Sequence, residues 1–281
     1  MVNKYVIRLQ GNKLTLREWL EKLKVGKPTI SKLNTLNAIC NNKESLSLDY
    51  NLKNNEIIYI NFSLLEDNDS ITDYDYKLNI LYEDDNIIAV DKERGILVHS
   101  DGNNHETLLN GVCTYLKNKC DDSFVRPIHR IDVDTSGVVV FAKNIIAYNY
   151  LSYQMENRSI EKEYLAYVDG YIPSDGKVSL YISKDRHNAK KYVGFPKDNN
   201  NALTIYKVIK HTNSRTLLSI IIYTGKPHQI RVSMAYLKHP ISGDKLYGRD
   251  GKVMYLLAYR IKFSLFDKDI EIKSKKDINY L

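Results

Sequence analysis

Residues 126–144 read RPIHRIDVDTSGVVVFAKN. The segment passes from a proline-bearing loop through a dense polar cluster, His129, Arg130, Asp132, Asp134, Thr135 and Ser136, then over Gly137 into the apolar run 138–142. A run of Val and Phe opened by Gly predicts a buried strand. The polar cluster therefore lies at a strand's entrance, and loops held by rigid strands are where reactive groups are commonly placed. Asp132 taken alone has several open roles: nucleophile, general acid or base, or hydrogen-bond anchor of its own loop. An Asp beside Thr and Ser at a strand entrance is more often the anchor. Two carboxylates two residues apart, with no further ligand set close in sequence, make a poor metal site.

Outward from this centre, 281 residues suffice for one large domain and a small one. The formal net charge is +7, with Lys and Arg spread along the chain. Such an excess favours a polyanionic partner, because each phosphate neutralised releases counterions. Cys40, Cys113 and Cys120 form no C-x-x-C pair and are read as buried or half-buried thiols of a reducing cytosol. The opening MVNKYVIRLQGNK meets charges early, and no apolar run approaches bilayer length, so a cytoplasmic protein without a membrane partner is expected. A monomer is the default expectation.

Residues 1–62 form the first expected unit. LTLREWLEKL at 14–23 places Leu16, Trp19, Leu20 and Leu23 on one helical face, with Thr15 as N-cap and Glu18 as its capping-box partner. Gly26 and Pro28 are read as its end, 29–38 as a second short helix, and 57–61 (IIYIN) as a strand. The acidic, aperiodic SLLEDNDSITDYDY at 63–76 reads as a linker, 63–77. The second unit, 78–281, opens with strand-like pieces at 78–82, 87–90 and 96–99, then a helix over 106–116. Beyond the central stretch come a helix at 145–157, strands at 162–168, 178–182, 203–209 and 216–223, a helix at 228–238, and strands at 255–265 and 269–272 before a basic tail. Many strands joined by short turns predict an α+β fold with a mixed, mostly antiparallel sheet and packed helices.

A second polar cluster, TGKPHQIRVSMAYLKHPISGDKLYG at 224–248, carries Lys226, His228, Gln229 and Arg231 around the start of its helix. A helix start crowded with cations favours anions, although alone it is usually a solvated surface. The stretch 183–197, SKDRHNAKKYVGFPK, is a basic loop with interleaved aromatics whose Lys184, Arg186, Lys190 and Lys191 are candidates for phosphate contact.

Together these motifs resemble one family. HRIDVDTSG (129–137) is similar to the HRLDxxTSG signature of the RluA-type RNA pseudouridine synthases, and 224–248 resembles that family's G-R-x-H-Q-I-R-V-H…G-H-P-I-x-G-D…Y-G segment. KEYLAYVDG (162–170) resembles its K-x-Y-x-A strand and VDKERGILVHS (90–100) its opening K-P-x-G-x-x-V-H element. The four motifs occur in the family's order across the second unit. Residues 1–62 also resemble the small alpha-L RNA-binding domain of a ribosomal protein, though the glycine usual after its second helix is missing.

The resemblance implies the pseudouridine synthase fold and the isomerisation of uridines in ribosomal or transfer RNA, with no metal and no cofactor. It implies that Asp132 is the essential carboxylate, that Arg231 pairs with it, and that Tyr164 stacks on the uracil and is a candidate to take up the proton lost from carbon. Arg130 then fills the gap left by the flipped base. His129, Thr135, Lys226, His228 and Gln229 are implied substrate contacts. The chain departs from the pattern at Lys226, Pro227, Ser233 and Leu257, where the family has Arg, Ser or Thr, His and His. Two other readings stand beside this one. A non-catalytic RNA-binding or assembly protein would be indifferent to loss of the Asp132 carboxylate, and a nucleoside hydrolase would release free uracil.

Overall fold

The computed structural model describes residues 2–7, 14–61, 72–102, 106–121, 124–188, 191–249, 251–266 and 268–280. The first unit begins with a strand that its sequence did not announce, β1 (Val2–Val6). It pairs antiparallel with β3 (Ile57–Asn61), and β3 pairs on its other side with the short β2 (Ile39–Cys40). Helix α1 (Leu16–Lys22) starts at the expected capping box: the Thr15 side chain accepts from the Glu18 N–H, and Glu18 accepts from the Thr15 N–H at 2.8 Å.

Helix α2 (Lys27–Thr35) corrects the reading of Gly26 and Pro28. These residues open the second helix instead of closing the first. Pro28 fits the first turn, where its missing N–H costs nothing, and Gly26 is the N-cap. The chain leaves α2 through Asn37 at φ 48°. Asn tolerates the left-handed conformation and so stands in for the missing glycine. Leu16, Leu20, Ile30, Leu33, Ile58 and Ile60 form this unit's core, to which Ile146 of the second unit also contributes.

The second unit is built on an eleven-stranded sheet. Its elements in chain order are β4 (Ile80–Glu83), β5 (Ile87–Lys92), α3 (Leu108–Asn118), β6 (Arg126–Pro127), β7 (Ser136–Ala142), α4 (Ile145–Glu156), β8 (Glu161–Asp169), β9 (Gly176–Lys184), β10 (Tyr192–Phe195), β11 (Ala202–His211), β12 (Arg215–Ile222), α5 (Gln229–Tyr236), β13 (Leu256–Leu265) and β14 (Lys268–Lys273). The strand order is β10-β9-β11-β12-β8-β13-β7-β5-β4, with β14 beside β13 and β6 beside β7. Every pairing is antiparallel except that of β7 with β13. One face buries Tyr164, Ala166, Ile220 and Leu256 against α3 and α5. The other buries Val138 and Val140 against Ala147 and Leu151 of α4.

Some expectations change on contact with the structure and others gain detail. Residues 96–99 make no strand; Leu97 forms only an isolated bridge with Thr107. The linker lies outside the described residues as far as 71, and the part from 72 is laid along α3. There the Tyr74 N–H donates to Thr114 Oγ1 at 2.9 Å, and the Asn110 side chain donates to the Thr72 carbonyl at 2.8 Å. The basic tail is tied down as well, because the Ser274 hydroxyl and the Lys275 N–H both donate to the Asp91 carboxylate. Cys120 is exposed, whereas Cys40 and Cys113 are half-buried. Among the described residues, no helix is long and apolar enough to cross a membrane.

The parallel contact between β7 and β13 is two residue pairs long, Leu257 with Ser136 and Ala258 with Gly137. Beyond it β13 continues with β14. Gly137, Ala258, Tyr164 and Ile220 thus lie side by side across four strands. Gly137 has φ +117°, and a Cβ there would stand 2.2 Å from the Ala258 carbonyl oxygen. Backbone meets backbone at this point, so no side chain can yield. Gly137→Ala is expected to lower unfolding stability by at least about 3 kcal/mol, measured by urea titration; a loss under about 1 kcal/mol would show that the two strands separate easily.

Candidate active site

Asp132 opens a tight turn, which the Thr135 N–H closes by donating to the Asp132 carbonyl at 3.0 Å. The turn is pinned from below. The fully buried Lys92 donates from Nζ to the carbonyls of Glu93, Ile96 and Val133 at 2.8, 2.9 and 3.0 Å, and the Gly95 N–H also donates to Val133. Burial pushes the Lys92 pKa down to about 7, against the opposing charges of Asp132 and Asp134. The VDKERG part of the 90–100 motif is therefore the footing of the central one.

The Asp132 side chain is held from α5. Arg231 Nη1 donates to Asp132 Oδ2 at 3.1 Å. The same guanidinium grips Asp244 with two bonds, Nε to Oδ2 at 2.7 Å and Nη2 to Oδ1 at 2.8 Å. Burial works against the Arg231 charge, but Asp244 and then Asp132 outweigh it and hold its pKa above the ordinary value. Asp244 is fully buried and also accepts from the Leu246 N–H at 2.9 Å. Its importance was not read from the sequence, although it stands in the quoted ISGDKLYG stretch: nothing in one dimension says which carboxylate the arginine takes with both arms.

These groups line a cleft of about 200 Å³ bounded by Arg130, Asp132, Thr135, Tyr164, Tyr192, Lys226, His228 and Arg231, with Ile222 and Leu256 as apolar floor. This is below the roughly 300–1,000 Å³ of sites for drug-sized ligands and suits one small planar group. Tyr164 projects from β8, where Ala258 of β13 is its strand neighbour, and lines the cleft although it is largely buried. Burial, then the charge of Asp132, raises the Tyr164 pKa above the ordinary phenol value. The phenol therefore keeps its hydrogen at neutral pH.

Two expected substrate contacts are engaged with the protein itself, although Gln229 also lines the cleft. Gln229 donates to the Leu203 carbonyl at 3.0 Å and to Thr204 Oγ1 at 3.3 Å, and accepts from the Thr224 hydroxyl at 2.7 Å and the Lys226 N–H at 3.2 Å. Both amide hydrogens and both oxygen lone pairs are used by the protein, so Gln229 is a strut of the 224–226 loop. His129 sits behind the cleft wall, its Nε2 accepting from the Val140 N–H at 3.3 Å. Burial, with the charge of Lys162, drives its pKa to about 3, leaving a neutral ring that ties the loop to β7.

Arg130 and Lys226 are exposed and line the cleft. Thr135 is buried in the cleft wall. The basic stretch 183–197 is not wholly a loop, since it contains β10, which pairs with β9. β10 brings Tyr192 to the cleft, a residue not singled out as a site contact from the sequence. Lys184 and Arg186 are exposed, Lys191 lies 5.4 Å from the Tyr247 ring centre, and Lys190 is outside the described residues. Two departures from the family pattern fall away from the cleft lining. Ser233 is buried against Thr204, their hydroxyls 3.0 Å apart, and Leu257 is buried with Tyr167 and Leu217 on the opposite sheet face.

Known proteins share the sequence and the fold of this chain. The sequence profile of a family described as RNA pseudouridylate synthase matches residues 86–236. A ribosomal large subunit pseudouridine synthase D of Neisseria meningitidis is 37% identical over 172 residues, 61% of this chain and 46% of its own length. The synthase of the same name from Borreliella burgdorferi is 36% identical, covering 66% of this chain and 61% of its own. An uncharacterised RNA pseudouridine synthase of Bacillus subtilis, YhcT, is 32% identical over 83% of this chain and 78% of its own. The alignments thus span about half to three fifths of the two large subunit synthases. Among solved structures, human RNA pseudouridylate synthase domain containing 1 superposes with a TM-score of 0.61 at 22% identity, over 71% of this chain and 84% of that one. Human RNA pseudouridylate synthase domain containing 4 gives 0.58 at 22%, over 71% and 88%. Both show the same fold.

Lys162, two residues before Tyr164 on the same strand, is only 4% exposed, and its Nζ lies 3.8 Å from the Met155 thioether. Burial lowers its pKa from 10.5 to about 8. The unfolded chain therefore binds this proton more tightly than the folded one, and stability rises with pH between those two values. Lys162→Met is expected to be more stable than the wild type near pH 7, with the gap closing by at most about 1.4 kcal/mol per pH unit as pH rises toward 10. Urea unfolding across that range checks it; a gap that stays constant with pH refutes the assignment. Asp244→Asn, by leaving the buried Arg231 with one charged partner, is expected to cost roughly 3–5 kcal/mol in the same assay.

Proposed function

The chain belongs to the RNA pseudouridylate synthase family, and from that membership we propose that it isomerises uridines of structured RNA to pseudouridine, with Asp132 as the essential carboxylate. The observation that carries the reading is the guanidinium of Arg231, which orients the Asp132 side chain at 3.1 Å in the lining of a cleft sized for one base. A carboxylate 23% exposed, held by a charged donor and facing an apolar floor, is a reactive group rather than a loop anchor.

In the proposed reaction the bond from ribose C1′ to uracil N1 breaks, the uracil turns, and C1′ joins to C5. The proton on C5 leaves and N1 gains one, so atoms and charge balance without a co-reactant. Asp132 can attack the sugar, attack the base or remove a sugar proton, each from the carboxylate that Arg231 orients. Tyr164 supplies the surface on which the uracil lies. Arg130, exposed at the rim, takes the space the flipped nucleotide leaves, a planar cation offsetting part of the lost stacking. Lys226 meets backbone phosphate as a point charge in place of a bidentate fork.

Ribosomal RNA is the first substrate class to test, because relatives bear the name of large subunit synthases. The small first unit is proposed to add RNA contacts, and the protein to act as a cytoplasmic monomer. The decisive measurement is tritium release from RNA labelled at C5 of uracil, prepared from cells lacking this protein. The wild type should release tritium with no free uracil, and Asp132→Asn should lose at least about a hundredfold in rate. Equal release by both proteins would remove Asp132 from the chemistry, and free uracil would make the protein a hydrolase.

A further inference from the structure

The ring of His228 faces the same cleft, and its hydrogen can be located by following the bonds around it. His228 Nδ1 lies 2.9 Å from the Tyr247 hydroxyl. That hydroxyl oxygen already accepts the Tyr192 backbone N–H at 2.7 Å. A phenol oxygen that accepts an N–H still has its own hydrogen to give, and among the described residues it meets no acceptor other than Nδ1. Burial pushes the Tyr247 pKa up to about 12, so the hydroxyl keeps that hydrogen at neutral pH. Nδ1 is then an acceptor, and a neutral imidazole must carry its hydrogen on Nε2.

The surroundings of the His228 ring disfavour its charged form. Burial lowers its pKa; Asp132 and Asp244 oppose this, while Arg231 and Arg130 add to it. Its orientation is equally constrained. Tyr192 and Tyr247 meet it edge-on, with ring centres at 5.1 and 5.7 Å and planes at 71° and 88°. The backbone at His228 is left-handed, φ 53°, an unfavourable state for a residue with a side chain and one that tends to persist at working sites.

The Nε2–H has no committed partner in Asp132. The separation from Asp132 Oδ2 is 3.8 Å, beyond a hydrogen bond, and that oxygen already accepts from Arg231. What remains is a directed, uncharged donor next to the carboxylate, opening on a space sized for one base. Uracil offers two carbonyl oxygens on its edge, and a fixed donor has most effect on an acceptor that arrives in one orientation.

We propose that the Tyr192–Tyr247 relay fixes His228 as the Nε2–H tautomer, and that this N–H is given to a carbonyl oxygen of the target uracil. His228 is then a catalytic residue that touches substrate, and Tyr247 a positioning residue acting through it. The substrate half of this inference rests on the reading of the cleft as a uridine site; the tautomer half does not.

The test has two arms on the full chain. Nitrogen-15 spectra of the histidine rings near pH 7 read the tautomer directly, without RNA. Wild type should show Nδ1 as the unprotonated nitrogen, and Tyr247→Phe should shift His228 toward a mixture of tautomers. An Nδ1–H or doubly protonated ring in the wild type overturns the proposal. In the tritium assay, His228→Gln places an amide N–H near the Nε2 position and His228→Asn near Nδ1. His228→Asn is expected to fall at least about tenfold below His228→Gln in kcat/KM, with matching thermal melts confirming that both fold. Equal losses overturn the donor role. An inactive wild type with the Nε2–H tautomer would instead sink the uridine reading and the substrate half with it.

Discussion

A single guanidinium holds the cleft together. Arg231 enters from α5, grips Asp244 with two bonds and reaches Asp132 with a third. Taking an arginine out of water costs several kcal/mol unless its charge is matched and its donors are used. Asp244, fully buried, supplies that match. The third bond can then be directed at Asp132 without the arginine depending on it. This division of labour explains why one carboxylate is sealed and the other is partly open to the cleft. The sealed one fixes the arginine, and the arginine fixes the open one.

The sheet makes that contact possible. Asp132 lies on the loop before β7, Arg231 on α5 after β12, and Asp244 before β13. β7 touches β13 over only two residue pairs, and this brief parallel contact brings the start of β7 beside Tyr164 of β8. Gly137 is the hinge of the arrangement, since its carbonyl-crowded, left-handed position excludes any side chain. Lys92 secures the loop from the opposite side through three carbonyls, at the cost of a depressed pKa. The strands therefore bring together the loops and the helix that carry the three groups, and buried cations fix the loop of Asp132.

Much of this was legible in the sequence where a residue's role is local. The Thr15 capping box, the apolar run that became β7 and the helix starting near His228 follow from spacing alone. The pairing of Arg231 with Asp132 was expected from family resemblance and is present as a 3.1 Å bond. The errors have a common cause. Gly26 and Pro28 serve equally to end one helix or open the next, and only the tertiary path decides. Residues 96–99 have strand composition but find no ladder partner. Sequence also gives no sign that the amide of Gln229 is spent on the 224–226 loop and β11, or that His129 Nε2 meets the backbone of β7, since both partners arrive only through the fold.

The departures from the family pattern follow the same logic. Ser233 and Leu257 replace histidines at positions where this fold packs a hydroxyl against Thr204 and a leucine against Tyr167 and Leu217. Neither position is in the cleft lining, so those histidines can be lost without removing a group from the cleft. His228 is different. It stands at the helix entrance in a strained backbone state, between two tyrosines, with one ring nitrogen bonded to Tyr247 and the other facing Asp132. The constraint falls on the ring of His228 and on the backbone beneath it, so its two nitrogens have fixed and different surroundings where the positions of Ser233 and Leu257 have none in the cleft.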